Sequence, residues 1–125
     1  MRLLLDTHVL LWTLAGHPKI KAVEALILAD ETAVFVSTAS LWEIAIKSGL
    51  GKLDADVAEI RAAIKSSGFN ELDVKGEHTE YLKTLAPIHR DPFDRLLVAQ
   101  AIAEPMRLLT ADATLKAYSE LVQVI

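Results

Sequence analysis

Short apolar runs alternate along the chain with longer segments in which apolar residues recur every three or four positions. The short runs predict five strands, at residues 2–6, 33–37, 69–74, 106–110 and 121–125. Because a helical segment follows each of the first four strands, the pattern predicts an α/β fold in which a parallel sheet is covered by helices on both faces.

The helical segments carry start and stop signals. Thr7 follows the first strand, and Gly16 ends the helix that begins there. Asp91 and Pro92 stand where a capping residue and a first-turn proline belong. The predicted helices cover residues 7–15, 18–30, 38–49 (with a start at 38 or 40), 54–67, 77–86, 91–103 and 112–119.

The composition describes a globular chain of 125 residues, of which 52% are apolar and none is cysteine. A chain of this size buries enough surface to fold without a metal or a disulfide. The lack of cysteine excludes disulfides, thiolate nucleophiles, iron–sulfur clusters and zinc ribbons. It also suits a reducing compartment, so we expect a cytoplasmic protein. No linker or repeat interrupts the pattern, which predicts one domain over residues 1–125.

Neither a membrane nor a broad nucleic-acid surface is indicated. No segment reaches the ~18 consecutive apolar residues of a transmembrane helix. Asp6 and His8 interrupt the apolar N-terminal run, which is therefore not read as an export signal. The 17 Asp and Glu outnumber the 13 Lys and Arg, giving a formal net charge of -4. This balance argues against nucleic-acid binding through positive charge alone.

Four acids fall where a parallel sheet forms its sites. Asp6 ends the first strand, Asp112 lies two residues past the fourth, Glu43 lies in the helix after the second, and Asp94 lies in the first turn of the helix before the fourth. Sites in such sheets form at the carboxyl ends of the strands, so we expect the four side chains to converge. Like charges brought together repel unless a cation lies among them.

Each acid also has a purely structural explanation. Asp6 and Asp112 are suited to capping helices, Glu43 is four residues before Lys47 as in an exposed helical ion pair, and Asp94 favours the helix dipole. Capping and pairing do not require the four acids to share one edge of the sheet. Their common placement therefore favours a functional site.

Four sequence blocks resemble a known family. LLLDTH at 3–8, STASLWEI at 37–44, HRDPFDR at 89–95 with AQA at 99–101, and LLTAD at 108–112 resemble the signature blocks of PIN-domain ribonucleases. More narrowly, they are similar to the VapC-type toxins of bacterial toxin–antitoxin pairs. The resemblance runs from residue 1 to 125, with the blocks in the family's order.

The resemblance implies a PIN-like three-layer fold with a central, mostly parallel sheet of about five strands. It also implies that an acidic quartet holds Mg²⁺ or Mn²⁺, with Thr110 as the small hydroxyl residue beside the fourth acid. Hard divalent cations prefer such oxygen ligands. The implied catalytic and metal-binding residues are Asp6, Glu43, Asp94 and Asp112.

The activity implied is endonucleolytic hydrolysis of RNA by metal-activated water, without a covalent intermediate. The implied partners are a structured RNA such as tRNA or rRNA, a VapB-like antitoxin that places a basic side chain in the acidic cleft, and a second copy in a homodimer. Two alternatives are a catalytically silent binding module with the same fold, and another Mg-dependent α/β phosphoryl-transfer hydrolase. A phosphatase that uses Asp6 as its nucleophile would want a second Asp at 8, where this chain has His8.

The remaining residues of the blocks receive supporting roles. We expect Asp91 to cap its helix, and Arg95 to orient a carboxylate, contact phosphate or form a salt bridge with a neighbouring acid. His8 and His89 lack the paired spacing of a zinc site and are predicted to be core residues or to support the ligands. Three aromatic residues are predicted to be packing residues: Trp12, Trp42 and Phe93.

Overall fold

The computed structural model describes residues 1–125 and contains one sheet of five parallel strands. In chain order, the strands are β1 (Arg2–Leu5), β2 (Ala33–Ser37), β3 (Asn70–Leu72), β4 (Arg107–Thr110) and β5 (Val122–Val124). Their order across the sheet is β3-β2-β1-β4-β5, and every neighbouring pair is parallel. The predicted α/β class is confirmed, and no antiparallel strand is present.

Six α-helices and two 3₁₀ helices connect the strands. None of them has the length and apolar character needed to cross a membrane. The α-helices are α1 (Thr7–Ala15), α2 (Glu24–Leu28), α3 (Thr38–Gly49), α4 (Val57–Ser66), α5 (Gly76–Leu82) and α6 (Pro92–Ala103), and the 3₁₀ helices are Pro18–Ile20 and Ala113–Tyr118.

The prediction of one helix over 18–30 is wrong. The structure has a 3₁₀ turn at Pro18–Ile20 and a separate short helix, α2, joined by a turn. Val23, with φ -119° and ψ 1°, is not helical, yet its side chain is buried in the core. Apolar spacing alone cannot separate a continuous helix from a bent segment that places the same residues inward.

Three other helices differ from prediction in length or type. The helix predicted over 54–67 is α4, which starts at Val57 after the capping residue Asp56 and ends at Ser66. The helix predicted over 77–86 is α5, which starts at Gly76 and ends at Leu82. The short helix predicted over 112–119 is the 3₁₀ helix, which Asp112 caps by accepting a hydrogen bond from the backbone N–H of Thr114.

The alternation of side chains along β1 divides the core into two halves. Leu3 and Leu5 belong to one apolar cluster, whereas Leu4 belongs to the other, and all three are fully buried. The first cluster takes in residues of α1 to α4, and the second takes in residues of α6 and the second 3₁₀ helix. Two helical layers therefore enclose the sheet.

At the amino edge of the sheet, a polar network joins β1 to the end of α6. Arg2 donates to Glu104, 3.1 Å away, and the fully buried His78 lies 2.5 Å from the other Glu104 oxygen. The His78 Nδ1 accepts from the Lys75 backbone N–H, so the Nε2 carries the proton. Hydrogen bonds from His78 and Arg2 lower the pKa of Glu104 below its ordinary value.

The register places the candidate site at the opposite edge. Leu5 of β1 pairs with Val36 of β2 and Leu109 of β4, so these three strands end side by side. The start of α3 follows β2 directly, and α6 begins at this edge because its end leads back to the start of β4. The chain segments that carry the four acids are therefore neighbours.

Candidate active site

Asp6 lies at the end of the central strand with both carboxylate oxygens engaged. Its Oδ1 accepts from the Val9 backbone N–H at 2.8 Å and so caps α1, while its Oδ2 accepts from the Thr110 hydroxyl at 2.5 Å. The residue is 4% exposed. Burial raises the pKa of Asp6, and the hydrogen bonds from Thr110 and Val9 oppose that rise. Asp6 can thus cap α1 and belong to the acidic cluster at the same time.

Thr110 links two of the four acids. Its hydroxyl donates to Asp6 and accepts from the backbone N–H of Asp112 at 3.0 Å. One hydroxyl therefore fixes the carboxylate that follows β1 and the chain that follows β4. The structure places Thr110 beside the fourth acid, where the family resemblance put it.

Glu43 is buried within α3 and is not the exposed half of a surface ion pair. Its Oε1 accepts from the Thr7 hydroxyl at 2.6 Å, and its Oε2 accepts from the Lys47 ammonium at 2.7 Å. The Lys47 side chain is 41% exposed and that of Glu43 only 5%, so the pair spans the surface and the interior. The hydrogen bond to Glu43 raises the pKa of Lys47.

Asp94 is the one acid of the four whose side chain has no hydrogen-bond donor. Burial raises its pKa to about 7, and the charges of Asp91, Asp6 and Glu43 act in the same direction, with His89 opposing them. A carboxyl among other carboxyls resists ionisation until a positive charge compensates it. Asp94 is therefore the position at which this cluster most needs a cation.

Asp91 leaves Asp94 free by capping α6 itself. Its Oδ1 accepts from the backbone N–H groups of Phe93, at 2.8 Å, and Asp94, at 3.3 Å. This is the capping role predicted for Asp91.

Asp112 is held by donors on both oxygens. Oδ1 accepts from the Thr114 backbone N–H and hydroxyl, at 3.0 and 2.7 Å, and Oδ2 accepts from the His89 Nε2 at 2.7 Å. The hydrogen bonds from Thr114, followed by that from His89, lower the pKa of Asp112. Asp112 thus remains ionised under conditions in which Asp94 can hold a proton.

His89 joins two acids of the cluster. Its Nδ1 accepts from the Asp91 backbone N–H at 3.0 Å, so the ring proton is on Nε2, which lies 2.7 Å from Asp112 and 3.6 Å from Asp94. In this arrangement His89 donates to Asp112 and lies too far from Asp94 for a hydrogen bond. The sequence did not decide whether His89 is a core residue or supports the acids. Only the path of the 83–91 connection brings it to Asp112.

The expectation that Arg95 contacts an acid is wrong for this structure. Its guanidinium donates to the Ala86 carbonyl at 3.0 Å and the Tyr118 hydroxyl at 3.1 Å, with longer contacts to the carbonyls of Leu82 and His89. One residue along a helix turns the side chain by about 100°, which carries Arg95 away from the acids. Through these hydrogen bonds, Arg95 stabilises the 83–91 connection, which contains His89.

The aromatic residues divide between packing and exposure. Trp12 is half-buried against the first core cluster, as predicted. Trp42 is 61% exposed, so its predicted packing role is wrong. It meets the Phe93 ring edge-on, with 5.1 Å between centroids.

Three of the acids line one open cleft of about 440 Å³. Asp6, Asp94 and Asp112 form the acidic wall of this cleft, and His8 and Trp12 also line it. Glu43 lies behind this wall, where its charge contributes to the raised pKa of Asp94. Carboxylate oxygens, with one acid lacking any donor, match the ligand preference of Mg²⁺ or Mn²⁺.

The PIN domain family model matches residues 3–121 of the chain. No match is found among curated proteins.

Solved structures share the fold at low sequence identity. VapBC2 from Rickettsia felis, bound to a DNA fragment from its promoter, is 20% identical with a TM-score of 0.73, covering 100% of this chain and 98% of that one. DNA-bound VapBC from Salmonella typhimurium is 15% identical with a TM-score of 0.67, covering 100% and 97%. A domain of a functionally unknown protein from Methanocaldococcus jannaschii is 13% identical with a TM-score of 0.60, covering 99% and 90%.

The electrostatics of the cleft predict that Asp94→Asn stabilises the metal-free protein at pH 8. The folded-state pKa of Asp94 is about 7 against an ordinary value of 3.8, so the wild type loses stability as pH rises through this interval. The advantage of the asparagine variant should therefore shrink at pH 5. Urea denaturation in EDTA at both pH values measures it.

Asp30→Asn is the matched control, since Asp30 is exposed before β2 at the opposite edge. An Asp94→Asn protein that is less stable than the wild type at pH 8 would contradict this electrostatic account.

Proposed function

This chain belongs to the PIN domain family, and from that premise we propose that it is a metal-dependent endoribonuclease that hydrolyses RNA phosphodiester bonds. The observation that carries the proposal is the cleft in which Asp6, Asp94 and Asp112 meet at the carboxyl edge of the sheet. Asp94 stands there without a hydrogen-bond donor. A phosphodiester is an anion, so such a cleft suits it only with cations present.

Asp6, Glu43, Asp94 and Asp112 are the residues that would hold Mg²⁺ or Mn²⁺. Bound there, such an ion supplies Lewis-acid stabilisation of the phosphate and lowers the pKa of the attacking water.

The chain's own residues hold the acids in place before any ligand arrives. Thr110 fixes Asp6, Thr7 fixes Glu43, and separate donors fix Asp112. Locked carboxylates lose little freedom on binding, which favours precise placement of a reacting phosphate. Asp94 is the exception, because it has no donor and is the ligand free to adjust.

Particular residues distinguish the proposed nuclease from a silent binding module and from a phosphatase. A silent binding module has no need of four acids in one cluster, and here all four are present. A phosphatase with Asp6 as nucleophile lacks its second acid, because position 8 is an exposed histidine.

The partners form a further part of the proposal. Two structures that share this fold are VapBC assemblies. The acidic cleft suits a basic side chain from a small VapB-like antitoxin, and the exposed Trp42, Ile46 and Leu50 suit contact with a second copy. The chain would then act as the toxin of a VapC-type pair in the cytoplasm, on a structured RNA such as tRNA or rRNA.

Removing an acid should abolish the activity. Asp6→Asn and Asp94→Asn are each expected to slow Mg²⁺- or Mn²⁺-dependent cleavage of total RNA by more than about 100-fold, because each removes a ligand from the cluster. Gel analysis of cleavage rates measures this, and circular dichroism checks that the variants are folded. Asp30→Asn, at the other edge, is expected to cleave like the wild type. Undiminished cleavage by both site variants would sink the assignment.

Sedimentation tests the partners. The chain alone is expected to sediment as a dimer at micromolar concentration, and as a larger complex when it is co-expressed with a VapB-like antitoxin. Because the basic segment would enter the acidic cleft, the complex is expected to cleave RNA more slowly. A monomer would remove the homodimer from the proposal. Absence of both binding and inhibition would remove the antitoxin.

A further inference from the structure

The acidic cleft continues into a second cleft of different character. The second one, of about 320 Å³, is lined by Trp12, Lys19, Ala111 and Ile125. Trp12 and Ala111 also line the cleft that contains the acids. A continuous surface therefore leads from Asp6, Asp94 and Asp112 past the Trp12 indole to Lys19.

The groups around Trp12 are aromatic and basic. The His17 ring stacks on the indole with 5.4 Å between centroids, and the His8 centroid is 6.0 Å away. The Lys19 ammonium lies 4.7 Å from the indole centroid. We call these four residues, His8, Trp12, His17 and Lys19, the Trp12 cluster.

Of the basic members of this cluster, His8 lies close enough to Asp6 for their charges to interact, whereas His17 and Lys19 have no acid partner. None of these three residues forms an ion pair, whereas Lys47 is paired with Glu43. The His17 Nδ1 accepts from the Lys19 backbone N–H, so its Nε2 is a free donor. In a chain with a net charge of -4, unpaired basic groups beside an acidic cleft are suited to an anionic ligand.

We propose that the Trp12 cluster is a nucleotide subsite that binds the RNA next to the bond to be cut, with a base or ribose against Trp12 and a phosphate near Lys19. The inference rests on the proposed ribonuclease function. Single-stranded nucleic acids combine flat rings with a phosphate on every residue, and proteins bind them with aromatic side chains beside basic ones. The continuity of the two clefts places this chemistry beside the acids.

The two tryptophans make a matched pair of reporters. Asp94→Asn, which is expected to prevent cleavage, is combined with Trp42→Phe to leave Trp12 as the only tryptophan, or with Trp12→Phe to leave Trp42. Titration with a single-stranded RNA 12-mer is expected to change Trp12 fluorescence in step with the polarisation of the labelled RNA, and to leave Trp42 fluorescence nearly unchanged. Trp42 lies outside both clefts and serves as the control.

Affinity and kinetics supply a second measurement. Trp12→Leu, which keeps an apolar side chain but removes the aromatic face, is expected to weaken RNA binding by about tenfold or more, while Trp12→Phe retains most of it. Lys19→Gln is expected to lower the salt dependence of binding by about one phosphate contact, unlike Lys21→Gln, two residues away. In the active enzyme, Trp12→Leu and Lys19→Gln should each raise KM more than they lower kcat.

Two results would overturn the subsite. One is RNA binding, seen by polarisation, that leaves Trp12 fluorescence unchanged and is insensitive to Lys19→Gln. The other is a Trp12 response to the antitoxin protein but not to RNA, which would make the cluster a protein-binding surface. Failure of the proposed function would look different, because the chain would then leave RNA intact both with the natural Trp12 and with Trp12→Leu.

Discussion

Burial of Asp94 beside the carboxylates of Asp91, Asp6 and Glu43 is the electrostatic constraint on which the candidate site depends. Asp6, Glu43 and Asp112 each have a donor for both oxygens, and each is fixed by at least one hydroxyl group. Asp94 has none, and its pKa is raised to about 7. Hydrogen-bond donors thus compensate three of the carboxylates, and only Asp94, where we propose that a cation binds, has no such compensation. The 17 acids exceed the 13 Lys and Arg by four, as many as the cluster contains.

The fold supplies the rigidity that holds such charges together. β1 is buried on both faces and lies between β2 and β4, so Asp6 follows the most enclosed strand of the sheet. At the amino edge, Arg2, Glu104 and His78 tie the same strand to α5 and α6. The two edges therefore differ in electrostatics, with acids matched to bases at one and acids left in excess at the other.

Local signals predicted the elements that depend on local chemistry. The strand at 33–37 and the helix at 7–15 have the predicted bounds, because an apolar run, a capping residue and a glycine stop act within a few residues. The prediction of one helix over 18–30 failed because Val23 reaches the core from a non-helical bend. The apolar spacing of this segment is the same as that of a continuous helix.

The same distinction applies to the site. Strand exits indicated the four acids, since the edge of a parallel sheet follows from topology. The partners that orient them did not follow, because Thr7 reaches Glu43 across 36 residues and His89 reaches Asp112 across 23. Arg95 and Trp42 show the converse: standing next to an acid in sequence placed neither side chain in the cleft.

The most direct test of the central claim is to locate a divalent cation. Anomalous diffraction at the manganese edge, from crystals grown with Mn²⁺, is predicted to show a peak at bonding distance from Asp6 and Asp94, and no such peak in Asp94→Asn crystals. Two groups of side chains lie close enough together to share a metal ion: His89, Asp94 and Asp112 at the carboxyl edge, and Glu77, His78 and Glu104 at the amino edge. A peak at the amino-edge group alone, or no peak beside Asp94 at saturating Mn²⁺, would contradict the account.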